Sequence, residues 1–158
     1  MLNPYNPDGS LKKGKAIIID LDGTLCNNQH RKHFAEKKDW ESFAKEIPKD
    51  TINSWCREII FTFQNAGYES IFVTGREGTR QVQQDTFEWL RRHNIDPLPI
   101  HFRNVGDHRH DYIIKQEIYD NEIKPFFDIL FAVDDRQQVV DMWRAHGIPC
   151  LQCAKGDF

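Results

Sequence analysis

The sequence predicts an α/β fold, a parallel central sheet flanked by helices, and three observations carry that reading. Short apolar runs rich in Ile, Val and Phe recur at 16–19, 70–73 and 126–133, the length of buried strands. Between them apolar positions return every three or four residues, as in Ile52, Trp55, Cys56, Ile59, Ile60 and Phe63, the period of one buried helix face. Each run also ends in chemistry: Asp20-Leu21-Asp22-Gly23-Thr24, Thr74-Gly75-Arg76 and Asp134-Asp135-Arg136. Parallel α/β sheets bind ligands beyond the carboxyl ends of their strands, so these endings belong to one edge.

Taken in order, residues 1–15 hold Asn3-Pro4-Tyr5-Asn6-Pro7-Asp8-Gly9-Ser10 and read as a tail or linker ahead of one domain at 16–158. After the first strand, 26–50 is polar and irregular, with a short helix expected from Trp40 to Glu46 and a break at Pro48. Following the carboxylates directly, it reads as a small cap over them. The helix from Ile52 ends at Gly67, and Ser70 to Arg76 is the second strand. Thr79 to His93 presents Val82, Thr86, Trp89 and Leu90 on one helix face and meets a C-cap at Asn94. Leu98 to Phe102, entered through Pro97 and Pro99, reads as a short strand near a sheet edge. Residues 106–111 form a polar loop, and Asp111 is expected to N-cap a helix through Ile113, Ile114 and Ile118 with Lys115 in its first turn. Phe126 to Val133 is the next strand, Val139, Val140 and Trp143 mark a helix closed by Gly147, and Pro149 to Gln152 offers a short fifth strand.

The composition, 39% hydrophobic and 28% charged, is that of a globular chain, with enough of its 158 residues to bury a full core. No apolar run approaches the roughly 20 residues that span a bilayer, and polar Asn, Pro and Gly stand where a signal peptide has its apolar core. The chain therefore reads as cytoplasmic, without a membrane partner. A net charge of −3 excludes a global positive field, so any nucleic-acid contact needs a local patch, for which Arg31, Arg76, Arg103 and Arg109 are the candidates. Cys150-Leu151-Gln152-Cys153 is one C-x-x-C without a second pair, weaker as a zinc site than as reduced thiols alongside Cys26 and Cys56. The seven histidines form no metal set, and His108 and His110 flank Arg109 in a solvated loop.

In an extended segment residues i and i+2 point the same way, so Asp20 and Asp22 are expected to share one space at the end of the first strand. Two anions that close recruit a cation or raise a proton affinity. A capping Asp followed by an Asp-Gly turn is the plainer alternative and stays open at this point.

The order D-x-D-G-T at 20–24, a strand ending in Thr74, then Lys115, then a strand ending in Asp134-Asp135 resembles the haloacid dehalogenase superfamily of phosphotransferases, across residues 16–153. The resemblance implies a Rossmann-like fold with a cap, Asp20 as nucleophile and Asp22 as acid and base. It makes Thr74 and Lys115 phosphate ligands, and Asp134 and Asp135 the acidic pair that holds metal beside Asp20 and the main-chain carbonyl of Asp22. The residue types suit these roles. Clustered carboxylates make a hard oxygen site for Mg²⁺. Asp20 can then attack phosphorus while the metal and Lys115 offset anion repulsion. Thr74 and the backbone at Gly75 offer donors to the phosphoryl oxygens. As an acid, Asp22 should hold its proton above the ~3.9 of a free Asp, which predicts a mildly acidic optimum.

A closer resemblance is to the 3′-phosphatase domain of phage polynucleotide kinase/phosphatases. It is carried by Tyr5-Asn6-Pro7, Ser70 to Glu77, Gly106 to Asp111 with Lys115 to Ile118, Val133 to Arg144 and the ending Gly156-Asp157-Phe158. It implies that Arg76, Asp111 and Arg31 also belong to the site, with Arg76 forking onto a phosphate oxygen and Asp111 holding Arg76 or Lys115. The match around Arg31 is poor. No G-x-x-x-x-G-K-[ST] occurs, so the kinase half is missing and the chain is free-standing or a piece of a longer protein. The expected substrates are DNA or RNA 3′-phosphate ends, in nucleic-acid end repair beside a separate kinase or ligase. Two other readings stay open: a phosphatase of free nucleotides or other small phosphometabolites, and a non-catalytic module that binds nucleic-acid ends.

Overall fold

Ala16, Ile17, Ile18 and Ile19 are all at most 1% exposed, as a strand covered on both faces must be. In the computed structural model, which describes residues 3–156, they lie in β1 (Gly14–Ile19), at the centre of a five-stranded sheet. Its neighbours are β4 (Glu69–Glu77) and β6 (Phe127–Arg136), flanked by β5 (Ile100–Arg103) and β7 (Cys150–Gly156) in the order β5-β4-β1-β6-β7. Every neighbouring pair in this sheet is parallel.

Side chains alternate along β1, and the core divides accordingly. Ile17 and Ile19 pack in the cluster containing Cys56 and Ile60 of α3 (Ser54–Asn65) and Trp89 and Leu90 of α4 (Arg80–Arg92). Ala16 and Ile18 pack in the other, with Ile114 and Ile118 of α5 (Asp111–Ile118) and Val139 and Trp143 of α6 (Gln137–Ala145). The result is the helix–sheet–helix layering the sequence predicts, with the chemistry-bearing strand ends along one edge.

Several bounds differ from the sequence reading. β1 starts at Gly14, inside the stretch read as a tail, and Tyr5 bridges Leu11 in a turn ahead of it. β7 continues to Gly156, since its pairing with β6 resumes at Arg136 after an irregularity. Asp111 is the first residue of α5 rather than its cap, which is His110, and Lys115 falls beyond the first turn. Asp157 and Phe158, part of the resemblance above, lie outside the described residues. Between β1 and α3 the chain forms an antiparallel pair, β2 (Cys26–Asn27) and β3 (Thr51–Ile52), around α1 (Lys32–Glu36) and α2 (Trp40–Lys45). Trp89 of α4 donates its indole N–H to the Asp50 carbonyl at 2.7 Å, which anchors the end of this insertion. Among the described residues no helix is long and apolar enough to cross a membrane.

Candidate active site

Asp20 directly follows β1 on the side of Ala16 and Ile18, the side that α5 covers. There Lys115, 1% exposed, donates to Asp20 Oδ1 at 2.8 Å and to Asp134 Oδ2 at 2.7 Å. Carboxylate oxygens of Asp20, Asp134 and Asp135 all lie within 4.8 Å of one another. Burial, then Asp134, hold the proton affinity of Asp20 well above the usual carboxylate range, against the pull of Lys115. Asp135 is pushed up to about 6, by burial first and Asp134 second.

One ammonium therefore faces three buried carboxylates, and Asp135 Oδ1 is buried with no hydrogen-bond partner. A hard divalent cation fits this donor set: it would satisfy the orphaned oxygen and offset the remaining negative charge. Two glycines let the backbone close around Asp135. A Cβ at Gly156 would stand 2.7 Å from Asp135 Oδ2, and one at Gly23, whose φ is +81°, would run into the same carboxylate. Thr24 donates to Asp20 Oδ2 at 3.1 Å, and the Cys153 thiol lies beneath this loop, 3.6 Å from Thr24 Oγ1. All four cysteines are free thiols. Burial pushes Cys150 up to about 12 and Cys153 up to about 11, which marks them as inert packing groups.

Asp22 has different hydrogen-bond partners from Asp20. β1 ends at Ile19, and Asp22 pairs with Cys26 in an isolated bridge within the turn that follows. Asp22 instead accepts from Arg31 and, at 2.6 and 3.1 Å, from Nη2 and Nε of Arg76. Asp50 completes the group: it takes Arg31 Nε at 2.7 Å and Nη2 at 2.6 Å, and Arg76 Nη2 at 3.1 Å. Phe43 lies 4.1 Å from the Arg31 guanidinium, and Thr86 accepts from Arg76 Nη1 at 3.0 Å. Burial pushes Asp22 toward protonation, but Arg76 and Arg31 together outweigh it and hold the carboxyl well below the usual range. The raised proton affinity expected for Asp22 is thus reversed here, because its immediate neighbours are cations.

Thr74 is fully buried and accepts from the Arg76 backbone N–H at 3.2 Å, so its own proton can go to another acceptor. Asp111 hydrogen-bonds neither Arg76 nor Lys115, although, against the effect of burial, its charge adds to those of Asp134 and Asp20 in raising the proton affinity of Lys115. Its carboxylate takes Arg103 on one oxygen and Arg136 Nη1, at 2.6 Å, on the other. It lies against Gly75, where a Cβ would stand 2.7 Å from Asp111 Oδ1. The arginine patch expected from the sequence is not assembled: Arg31 and Arg76 are buried in ion pairs, and Arg109 is engaged by Asp107 and Glu117. Asp50 and the Arg103–Asp111–Arg136 bridge are the parts that sequence reasoning missed.

The family model places the fold among the haloacid dehalogenase phosphatases, a class that uses a divalent metal, and the buried acidic trio beside Lys115 is a set that could hold one. A solved hydrolase from Streptococcus pneumoniae TIGR4 shares the fold, with TM-score 0.55 at 15% identity over 89% of this chain and 93% of its own. The family model for the polynucleotide kinase PNKP phosphatase domain matches residues 14–158, and the chain belongs to that family. A chain in a solved Pnkp1/Rnl/Hen1 complex is 34% identical, with TM-score 0.81, over 92% of this chain and 48% of that one. A protein of Autographa californica nuclear polyhedrosis virus, described as a bifunctional polynucleotide kinase/RNA ligase, is 27% identical over 93% of this chain and 20% of its own. The chain thus spans about half of that solved relative and a fifth of the viral one.

Proposed function

We propose that the chain removes the 3′-phosphate from DNA or RNA ends, with Mg²⁺ as its metal and a phosphoryl group carried on Asp20. The observation that carries this reading is the Lys115 bridge between Asp20 and Asp134, beside an Asp135 oxygen that lacks a partner. Asp20, Asp134, Asp135 and the main-chain carbonyl of Asp22 would hold the ion. When bound, it supplies the positive charge that lets a carboxylate approach a phosphate dianion.

Asp20 attacks phosphorus, the bond to the 3′ oxygen breaks, and the departing sugar oxygen takes a proton from Asp22. Water then attacks the phosphoryl-Asp20, gives its proton to Asp22, and frees phosphate and the carboxylate. Asp22 starts this cycle held by two arginines, so the arriving phosphate must first change its surroundings. Phosphate oxygens that draw Arg76 and Arg31 away remove the countercharge of Asp22 and raise its proton affinity when a proton is needed. Thr74 and the backbone at Gly75 donate to the phosphoryl oxygens, and Lys115 supplies a fixed charge. The 26–50 insertion, which brings Arg31 and Asp50 to Asp22, acts as the cap. The names of the relatives point to kinase and ligase activities as companions in end repair.

The test compares phosphate release from a 3′-phosphorylated oligonucleotide, a 3′-nucleotide and a 5′-nucleotide, with Mg²⁺ and after chelation. Fastest release from the oligonucleotide, lost on chelation and in Asp20→Asn with the fold intact, is expected. Faster turnover of the 5′-nucleotide, or activity surviving in Asp20→Asn, would refute the reading.

A further inference from the structure

We propose that Trp40 stacks on the base of the terminal nucleotide, so that the cap selects a polynucleotide end by its base as well as by its phosphate. This deepens the function proposed above and rests on it. Trp40 opens α2, and Phe43 follows three residues later on the same helix face. The two rings meet at a centroid separation of 5.9 Å with their planes at 89°. The ring of Phe43 in turn lies 4.1 Å from the Arg31 guanidinium, which donates to Asp22. Phe43 and Arg31 are buried, whereas Trp40 is 55% exposed. Trp40 is thus the solvent end of a chain of contacts that starts at Asp22.

Edge-to-face packing leaves at least one face of the indole clear of Phe43, and one face is what a stacked base needs. The reach is suitable. The base of a terminal nucleotide stands one sugar ring from its 3′-phosphate, and two contacts in series separate Trp40 from the arginine that takes that phosphate. The surroundings narrow the occupant. Among the described residues of the insertion, Trp40 is the one large apolar side chain left exposed, and Lys37, Lys38, Asp39 and Glu41 flank it, all exposed. A protein partner covers a contiguous apolar patch, which a single ring among charged neighbours does not supply. The insertion also carries six Lys or Arg against five Asp or Glu, while the rest of the chain holds 15 against 19. A polyanion is therefore repelled less along the cap than elsewhere on the chain. A flat aromatic ring next to lysines fits a base with its attached phosphates.

The experiment measures kcat and KM, with Mg²⁺, for a 3′-phosphorylated oligonucleotide and for the same strand ending in an abasic sugar 3′-phosphate. Wild type should favour the intact end by about tenfold in kcat/KM, the worth of one base on an aromatic ring. Trp40→Ala should lose most of that preference through KM, and Trp40→Phe should keep most of it. Phe126, 58% exposed just before β6 and so at the sheet edge opposite Asp134 and Asp135, is the control, and Phe126→Ala should show the wild-type preference. A second measurement does not depend on turnover. Binding of the phosphorylated oligonucleotide to Asp20→Asn should quench tryptophan fluorescence, and the quench should vanish in Asp20→Asn/Trp40→Phe, which keeps an aromatic ring against Phe43 even where alanine would unfold the cap. Equal losses on both ends in Trp40→Ala, a wild type indifferent to the terminal base, or a quench that survives Trp40→Phe would overturn this inference and leave the 3′-phosphatase reading standing. A wild type that releases phosphate from neither strand would sink both.

Discussion

Asp50 decides more than its place in the chain suggests. It follows Lys49 at the end of a polar insertion and looks like any helix-terminating Asp, yet its side chain is wholly buried between Arg31 and Arg76. Those partners lie 19 and 26 residues away, a separation that no local pattern encodes. Asp50→Ala leaves two buried guanidiniums short of acceptors, so stability to urea should fall by about 3–5 kcal/mol; a loss under about 1 kcal/mol would show that the pairs contribute nothing. Gly23 is a different case, half legible in the sequence. Asp22-Gly23 does form the turn that the plain reading expects, but the same glycine also gives Asp135 its room. Gly23→Ala should therefore weaken metal binding by at least tenfold in calorimetric titration. Gly67→Ala, at φ +89° with nothing within 4 Å, should affect stability only. If both alanines bind metal like wild type, Gly23 is a turn residue alone. Asp20, Asp134 and Asp135 were legible because they end apolar runs; the surroundings of Asp22 were not, since they depend on how the insertion folds back.

Among the elements, helices and strands with an unbroken apolar period matched their expected places, because burial on one face enforces the period. The insertion kept the short helix expected from Trp40 to Glu46, found as α2, and the polar loop before α5 was expected too; left unread there were the polar contacts between distant carbonyls and side chains that shape both. The 104–110 loop shows this well. Arg109 pairs there with Asp107 and with Glu117 of α5, while the Asp107 and Arg109 carbonyls hold Arg103. Hydrogen bonding from Arg109 lowers Asp107 to about 2. A carboxyl depressed by folding stabilises the folded loop above the unfolded value near ~3.9, and that contribution is lost as pH falls toward 2. Carboxyl NMR titration should accordingly place Asp107 near 2 in wild type and close to ~4 in Arg109→Gln. An Asp107 that titrates identically in the two proteins would mean that the loop is held without this pair.

Over the whole molecule, the sheet order places its central strand, and so Asp20, between β4 with Thr74 and β6 with Asp134 and Asp135. The fold thereby delivers three acidic groups and one lysine to a buried point without resolving their mutual repulsion. Paired alternation and apolar runs made that convergence readable in the sequence, whereas the sign of the net charge did not, since −3 overall says nothing about how charge is shared between surface and interior. The concentration has a consequence for stability that runs opposite to its consequence for binding. Asp135→Asn removes one of the repelling carboxylates, so in chelator the variant should melt higher than wild type. A divalent ion binds the folded chain alone and stabilises it by RT ln(1 + [L]/Kd), about 2.7 kcal/mol at a hundredfold excess over Kd. Added Mg²⁺ should then raise the melting temperature of wild type by several degrees and leave Asp135→Asn almost unmoved, reversing their order. Thermal melts of the two proteins with Mg²⁺ and with chelator measure this directly. A variant that melts below wild type in chelator would mean that Asp135 is held by favourable contacts within the fold, and the acidic trio would then be a structural cluster in place of a metal centre.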